Sequence, residues 1–486
     1  MAKKIYLILL LILVLDLVFS FYQHYHMPLD GDMTDIILPT PTSGYYHVLY
    51  DPLGLNVLLK NEVYANPNRF FAHWTTSKYF LNVPLWLQHF VDPIDSIYLS
   101  VAIAKIIVQI LILYLLAVFI SNRRNLLNLD FLIAAIIITP LFQTSGFSRS
   151  IGIIDQSVIY TFFYALPLGL LLLYFLPFFR TLFYQSKSGL NLITTVLLTL
   201  FAIVITLNGP LVPGVVLIVC QLVLLNSWFK NYKQINRPFD FQKGVEAIKT
   251  IPNYLLFSFI WICFLSLYSL YLGQNNALNF DGAIPLMERY ARLPAGLYDM
   301  FLQKLGFPLI FLMIIMNVII LRKNHQSEDG KKVLNLIKWI GIFSIIYILL
   351  LPLGGHRVYR SNVIRYDTLM PVTIGLIFTY GFTTFFLIKN ISKKYKIAYM
   401  IGVVVFFMIF TNADRADISG YKCERQALET IAKSTELIVP LDNDCPVMEW
   451  EKLDNYHESE RNAALFNYWN ITPEIKLYYH QDKNEE

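Results

Sequence analysis

Lys3-Lys4-Ile5-Tyr6-Leu7-Ile8-Leu9-Leu10-Leu11-Ile12-Leu13-Val14-Leu15-Asp16-Leu17-Val18-Phe19-Ser20-Phe21-Tyr22 sets two lysines before an apolar run from Ile5 to about Tyr22. At about 1.5 Å of rise per residue, roughly 20 such residues cross the ~30 Å hydrocarbon core of a bilayer. A signal peptide is the competing reading. No small-x-small cleavage site follows Phe19 and Asp16 interrupts the run, so the stretch is expected to stay as a first transmembrane helix. Ten further apolar runs follow, at Ile97–Ile120, Leu129–Gln143, Val158–Phe179, Leu190–Leu207, Leu211–Trp228, Asn253–Leu272, Leu305–Leu321, Leu336–Leu353, Leu369–Ile388 and Ile397–Phe410. The expected fold class is an all-α polytopic membrane protein with about 11 transmembrane helices.

Composition points the same way. Of 486 residues, 56% are hydrophobic and 15% charged, against roughly 25% charged in soluble domains, which argues against a soluble enzyme. The formal charge of +5 is small and lies in short loops, so no nucleic-acid partner is expected. No P-loop, dinucleotide fingerprint, HExxH or internal repeat occurs, which disfavours an ATP-driven pump or a zincin.

Charge in alternate connections predicts the orientation. With the amino terminus in the cytoplasm, the inner side collects twenty basic and five acidic residues, while the other side collects eighteen basic and twenty-eight acidic ones. Positive loops stay inside during insertion. The expectation is a multi-pass protein of the plasma (inner) membrane with a cytoplasmic N-terminus and an external or periplasmic C-terminus. Residues 1–410 form the membrane domain, with the long first external loop 23–96 and its interfacial helices, and 411–486 form a small external tail. Tyr45–Leu59 reads as one interfacial helix.

Cys423 and Cys445 sit in that tail. In an oxidising compartment they can close a loop of about 23 residues worth ~3 kcal/mol, although spacing alone also allows two unpaired thiols. Cys220 and Cys263 fall inside expected helices and read as packing residues. Two ionisable residues interrupt the first two spans: Asp16 about 9 Å and Lys105 about 12 Å below the outer ends of their helices. Opposite charges at one depth are expected to pair as a strut.

Directly after the first helix the chain reads His24-Tyr25-His26-Met27-Pro28-Leu29-Asp30-Gly31-Asp32. Asp30 and Asp32 flank a glycine, so both carboxylates can turn toward one divalent cation (Mg or Mn) or share acid–base work; a solvated Asp-Gly turn is the plainer alternative. A second segment, Gly354-Gly355-His356-Arg357-Val358-Tyr359-Arg360-Ser361-Asn362-Val363-Ile364-Arg365-Tyr366-Asp367, places a histidine and three arginines in ten positions. Guanidinium forks suit phosphate oxygens, and lipid headgroup contact or ion pairs with Asp367 are the alternatives.

An acidic pair opening a first external loop of more than seventy residues, in a many-helix protein with a terminal outer segment, resembles the GT-C superfamily of membrane glycosyltransferases. The resemblance implies catalytic or metal-binding roles for Asp30 and Asp32. It also implies that His356, Arg357, Arg360 and Arg365 hold the phosphate of a polyprenyl-phosphate sugar donor. Arg149, Asp155, Glu288, Arg289 and Arg292 are then expected near a lipid, glycan or protein acceptor. The competing functions are an O-antigen-type polymerase or ligase, which also uses external arginines, and a lipid or sugar transporter (flippase).

Overall fold

A computed structural model describes residues 2–186, 191–235, 240–280, 284–324, 327–355, 360 and 362–481. The apolar helices are α1 (Ala2–Tyr25), then, after the short α2 (Met33–Ile37) and α3 (Phe70–Leu87) of the first loop, α4 (Pro93–Ser121) and α5 (Leu129–Ile138). They continue as α6 (Val158–Tyr184), α7 (Leu192–Thr206), α8 (Val212–Gln234), α9 (Asn253–Gln274), α10 (Gly306–Asn324), α11 (Glu328–Leu350), α12 (Tyr366–Asn390) and α13 (Lys393–Ala413). Among the described residues, nine helices are long and apolar enough to cross a membrane, and shorter apolar helices at Leu129–Leu141 and Leu192–Thr206 occupy the other two expected positions. The chain is an all-α multi-pass membrane protein.

Sequence explains where these helices begin. Asp92 caps α4, accepting from Asp95 N at 3.0 Å with Pro93 in the first turn, and Asn128 caps α5 in the same way. The core is built around α4 and α12, the two most buried helices, with α1, α3, α5 and α6 packed against α4. Asn317 on α10 ties three helices together, donating to Thr383 and Thr384 of α12 at 2.9 and 3.0 Å and accepting from Tyr399 of α13 at 2.9 Å. Within α6, residues Thr161–Ala165 form a π-turn, a local widening that re-aims side chains and recurs at functional sites.

Two expectations are corrected. The Tyr45–Leu59 stretch is two short helices, Tyr46–Tyr50 and Leu55–Lys60. Asp51 breaks it by accepting from Leu55 N at 2.7 Å and Asn56 N at 2.9 Å, and Gly54 supplies the left-handed turn at φ 69° against Leu272. Asp16 and Lys105 have separate partners: Asp16 accepts from the Thr139 hydroxyl at 2.6 Å, while Lys105 donates to the Gln156 carbonyl and lies 3.7 Å from Met27 Sδ. The reason is helix register. Gln109 binds both His24 and Ser20, so Lys105, one turn nearer the end of α1, falls level with Met27. That is about 16 Å along α1 from Asp16 at ~1.5 Å per residue.

The tail folds into a small unit of α14 (Ser419–Lys433), β1 (Ile438–Leu441), α15 (Glu460–Tyr468) and β2 (Leu477–His480), with β1 and β2 paired in parallel. Cys423 and Cys445 are joined in a disulfide, Cα atoms 5.9 Å apart. Glu424 fastens this unit to the bundle. Its Oε2 accepts from Leu29 N and Tyr98 Oη, each at 2.8 Å, and Oε1 accepts from Met448 N at 2.9 Å. Trp469, fully buried, donates to the Phe80 carbonyl of α3 at 2.9 Å. The first loop, the connection after α5 and the tail therefore gather at one end of the bundle, where Asp414 accepts from Ser145 N and Gln23.

Candidate functional site

Asp30 lies in the turn between α1 and α2, with 4% of its surface exposed. Its Oδ1 accepts from Asp32 N at 2.9 Å, and its Oδ2 accepts from the Ser157 hydroxyl and from Ile159 N at 3.1 Å. Ser157 and Ile159 open α6, so Asp30 sits where unpaired helix N–H groups favour a negative charge. Burial nevertheless pushes its carboxyl up to about 6, with Asp32 adding to the rise and the three donors offsetting part of it.

Asp32 is more open, and Trp450 of the tail donates its indole N–H to Asp32 Oδ1 at 3.2 Å. Gly31 lies directly under this tail segment. A Cβ there would meet Trp450 N at 2.8 Å and the Glu449 carbonyl carbon at 2.9 Å, so the close approach of the two backbones requires glycine.

Behind Asp30 stands Lys105, fully buried and within electrostatic reach of both Asp155 and Asp30. Asp155 accepts from Ser157 N at 2.7 Å and from the Tyr366 hydroxyl; burial drives its carboxyl up to about 6, and Ser157 and Lys105 moderate the rise. Asp155, expected near an acceptor, thus belongs to the same buried group as Asp30.

The basic segment reaches this group through α6. Arg360 Nη2 donates to the Tyr160 hydroxyl at 3.4 Å, one residue beyond the Ile159 N–H that Asp30 holds. Arg365 pairs with the buried Asp367 at the start of α12. One turn along α6, Tyr164 lies within electrostatic reach of Arg69, Arg360, Arg365 and Asp367. His356 and Arg357 lie outside the described residues.

The remaining candidates have other occupations. Arg289 donates to the carbonyls of Ile284, Pro352 and Gly354, fastening that turn, and Arg292 pairs with Glu288 at 2.6 Å on the same helix. Arg149 is exposed on the short helix Ser148–Ile151.

Arg69 and Trp450 carry no sequence motif. Arg69 follows Asn66-Pro67-Asn68, in which Asn66 takes a left-handed φ of 56° and donates to the buried His73 at 3.1 Å; the Asn-Pro turn is the only local signal that the chain is being aimed. Beside the group, a cavity of about 240 Å³ is lined by Gln23, Met27, Pro28, Thr144, Gln156 and Gly420 among others. Met27 and Gln156 are the two groups that Lys105 touches. Pro28 lines the cavity, whereas Asp30 and Asp32 do not.

Among the described residues no three of His, Cys, Asp and Glu gather as a metal-binding group. The Asp30 oxygens are taken up by N–H and O–H donors from Asp32, Ser157 and Ile159, with the Asp32 and Asp155 carboxylates nearby; a Mg or Mn ion would need such oxygens to converge. Lys105 and the arginines already supply positive charge here. No protein-family model matches the chain, and no curated protein matches it.

Proposed function

We propose that the chain is a GT-C-like glycosyltransferase that moves a sugar from a polyprenyl-phosphate donor to a lipid, glycan or protein acceptor on the outer face of the membrane. The observation that carries this reading is the meeting, through the first turn of α6, of a buried carboxylate loop with an arginine–tyrosine group. In it, Asp32, the more open carboxylate, takes or orients the proton of the acceptor hydroxyl. Asp30 holds the Asp32 backbone in place, and Lys105 steadies Asp30 and Asp155. Arg360 and Arg365, joined by Arg69, balance the charge that collects on the departing lipid phosphate.

Transfer of label from a panel of polyprenyl-phosphate sugars, added to oriented vesicles holding the full-length protein, tests the reading. Labelled product formed only when the tail side faces the donor is expected. Vesicles that accept label from no member of the panel, or only from the opposite side, overturn it.

A further inference from the structure

Trp450 is 59% exposed although it belongs to the folded tail. Its orientation is nonetheless held at two points: the indole N–H is bound by Asp32, and the peptide bond between Glu449 and Trp450 passes close over Gly31. The chain reaches that position through Met448, which is fully buried and adopts a φ of 51°. Among the described residues with positive φ, every other non-glycine is Asn or Gln. A left-handed Met has no local hydrogen bond of its own side chain to offset the strain, so the surrounding structure imposes it. Met448 N is fixed by Glu424. The fold thus spends a strained residue to set an aromatic face, open to solvent, beside a carboxylate.

We propose that Trp450 is the platform of a saccharide subsite, which stacks the apolar face of a neutral or amino pyranose while Asp32 and Glu449 accept its hydroxyl or ammonium hydrogens. The proposal rests on the glycosyltransferase reading and names the acceptor side of it, because the stacked sugar lies against Asp32, the group that receives the acceptor proton. An indole offers a large rigid apolar surface with little entropy to lose, and carboxylates accept from paired hydroxyls. Charge selects the ligand class. Asp32 binds the indole, Glu449, which also accepts from Asn462, precedes it in the chain, Glu451 and Lys452 follow it, and Arg461 is already paired with Asp35. An anionic bilayer surface or a uronic acid would be repelled at this place.

Saturation-transfer NMR on the full-length protein in lipid nanodiscs, without any donor, tests the subsite. The probes are di- and trisaccharides of glucose, galactose, mannose, glucosamine and glucuronic acid. Ring protons of at least one neutral or amino sugar should receive saturation, with binding weakened about tenfold or more in Trp450→Ala and within about threefold of the parent in Trp450→Phe. Binding unchanged in Trp450→Ala, binding confined to glucuronic acid, or no binding by the parent overturns the proposal. Quenching of the Trp450 contribution to fluorescence by brominated lipid also overturns it, since the ring would then lie in the bilayer. Tryptophan-dependent saccharide binding without sugar transfer supports the subsite while removing the transferase reading; transfer that is indifferent to Trp450→Ala does the reverse.

Discussion

Gly31 carries no side chain at the point where the first loop passes beneath the tail, and the consequence can be measured. Gly31→Ala forces Cβ against main-chain atoms of Glu449 and Trp450, which cannot yield as a flexible side chain would. A loss of about 1–3 kcal/mol is expected, read as a lower unfolding temperature in detergent, with no loss for Gly402→Ala, where a Cβ meets nothing within 4 Å. The pH profile tests Asp30. With its carboxyl pushed up to about 6 by burial, protonation in mild acid weakens its hold on the Ser157, Ile159 and Asp32 donors. Transfer should therefore decline as pH falls through about 6 and level off above it, and a flat profile between pH 5 and 8 would contradict the assignment. Asp30 and Asp32 are legible in the sequence because two carboxylates around a glycine after a helix-ending Pro28 stand out in an apolar chain. Trp450 is not, and Arg69 is hinted at only by the Asn-Pro turn before it, since no motif marks which arginine or tryptophan a distant turn will bring to Tyr164 or to Asp32.

At the scale of elements, the spans are legible because hydrocarbon demands long apolar helices whatever the rest of the fold does. The π-turn of α6, where Gly209 passes close to the Phe163 carbonyl, and the register of α1 on α4, set by Gln109 against His24, leave no periodic trace. The tail's attachment is likewise hidden in one residue. Glu424 reads as part of a polar helix, yet it clamps Leu29, Tyr98 and Met448 together, and burial raises its carboxyl from the ordinary 4.5 to about 7. The protonated form is therefore the one the folded state favours. Docking should be firmest in acid and weaken as pH rises through about 7, seen as faster hydrogen exchange in α14. Glu424→Gln should cost about 1–3 kcal/mol by turning an amide N–H toward donors and should remove the pH dependence from this window; an unchanged pH dependence would contradict the role.

Over the whole molecule, the first loop, the connection after α5, the tail and the Arg360 segment share one end of the bundle, the end that the charge asymmetry of the sequence is expected to place outside. Thiol labelling of intact cells should find Cys423 and Cys445 unreactive until reductant is added, then reactive to a membrane-impermeant reagent, whereas reaction without reductant would contradict the bridge. Asp32→Asn tests the central claim most directly. The substitution keeps the size of the side chain and an oxygen for the Trp450 indole while removing the charge that receives a proton. In membranes supplied with labelled polyprenyl-phosphate sugars, transfer by Asp32→Asn should fall by about a hundredfold or more relative to the parent, with the protein inserted and its disulfide intact; transfer at the parent rate would contradict the account.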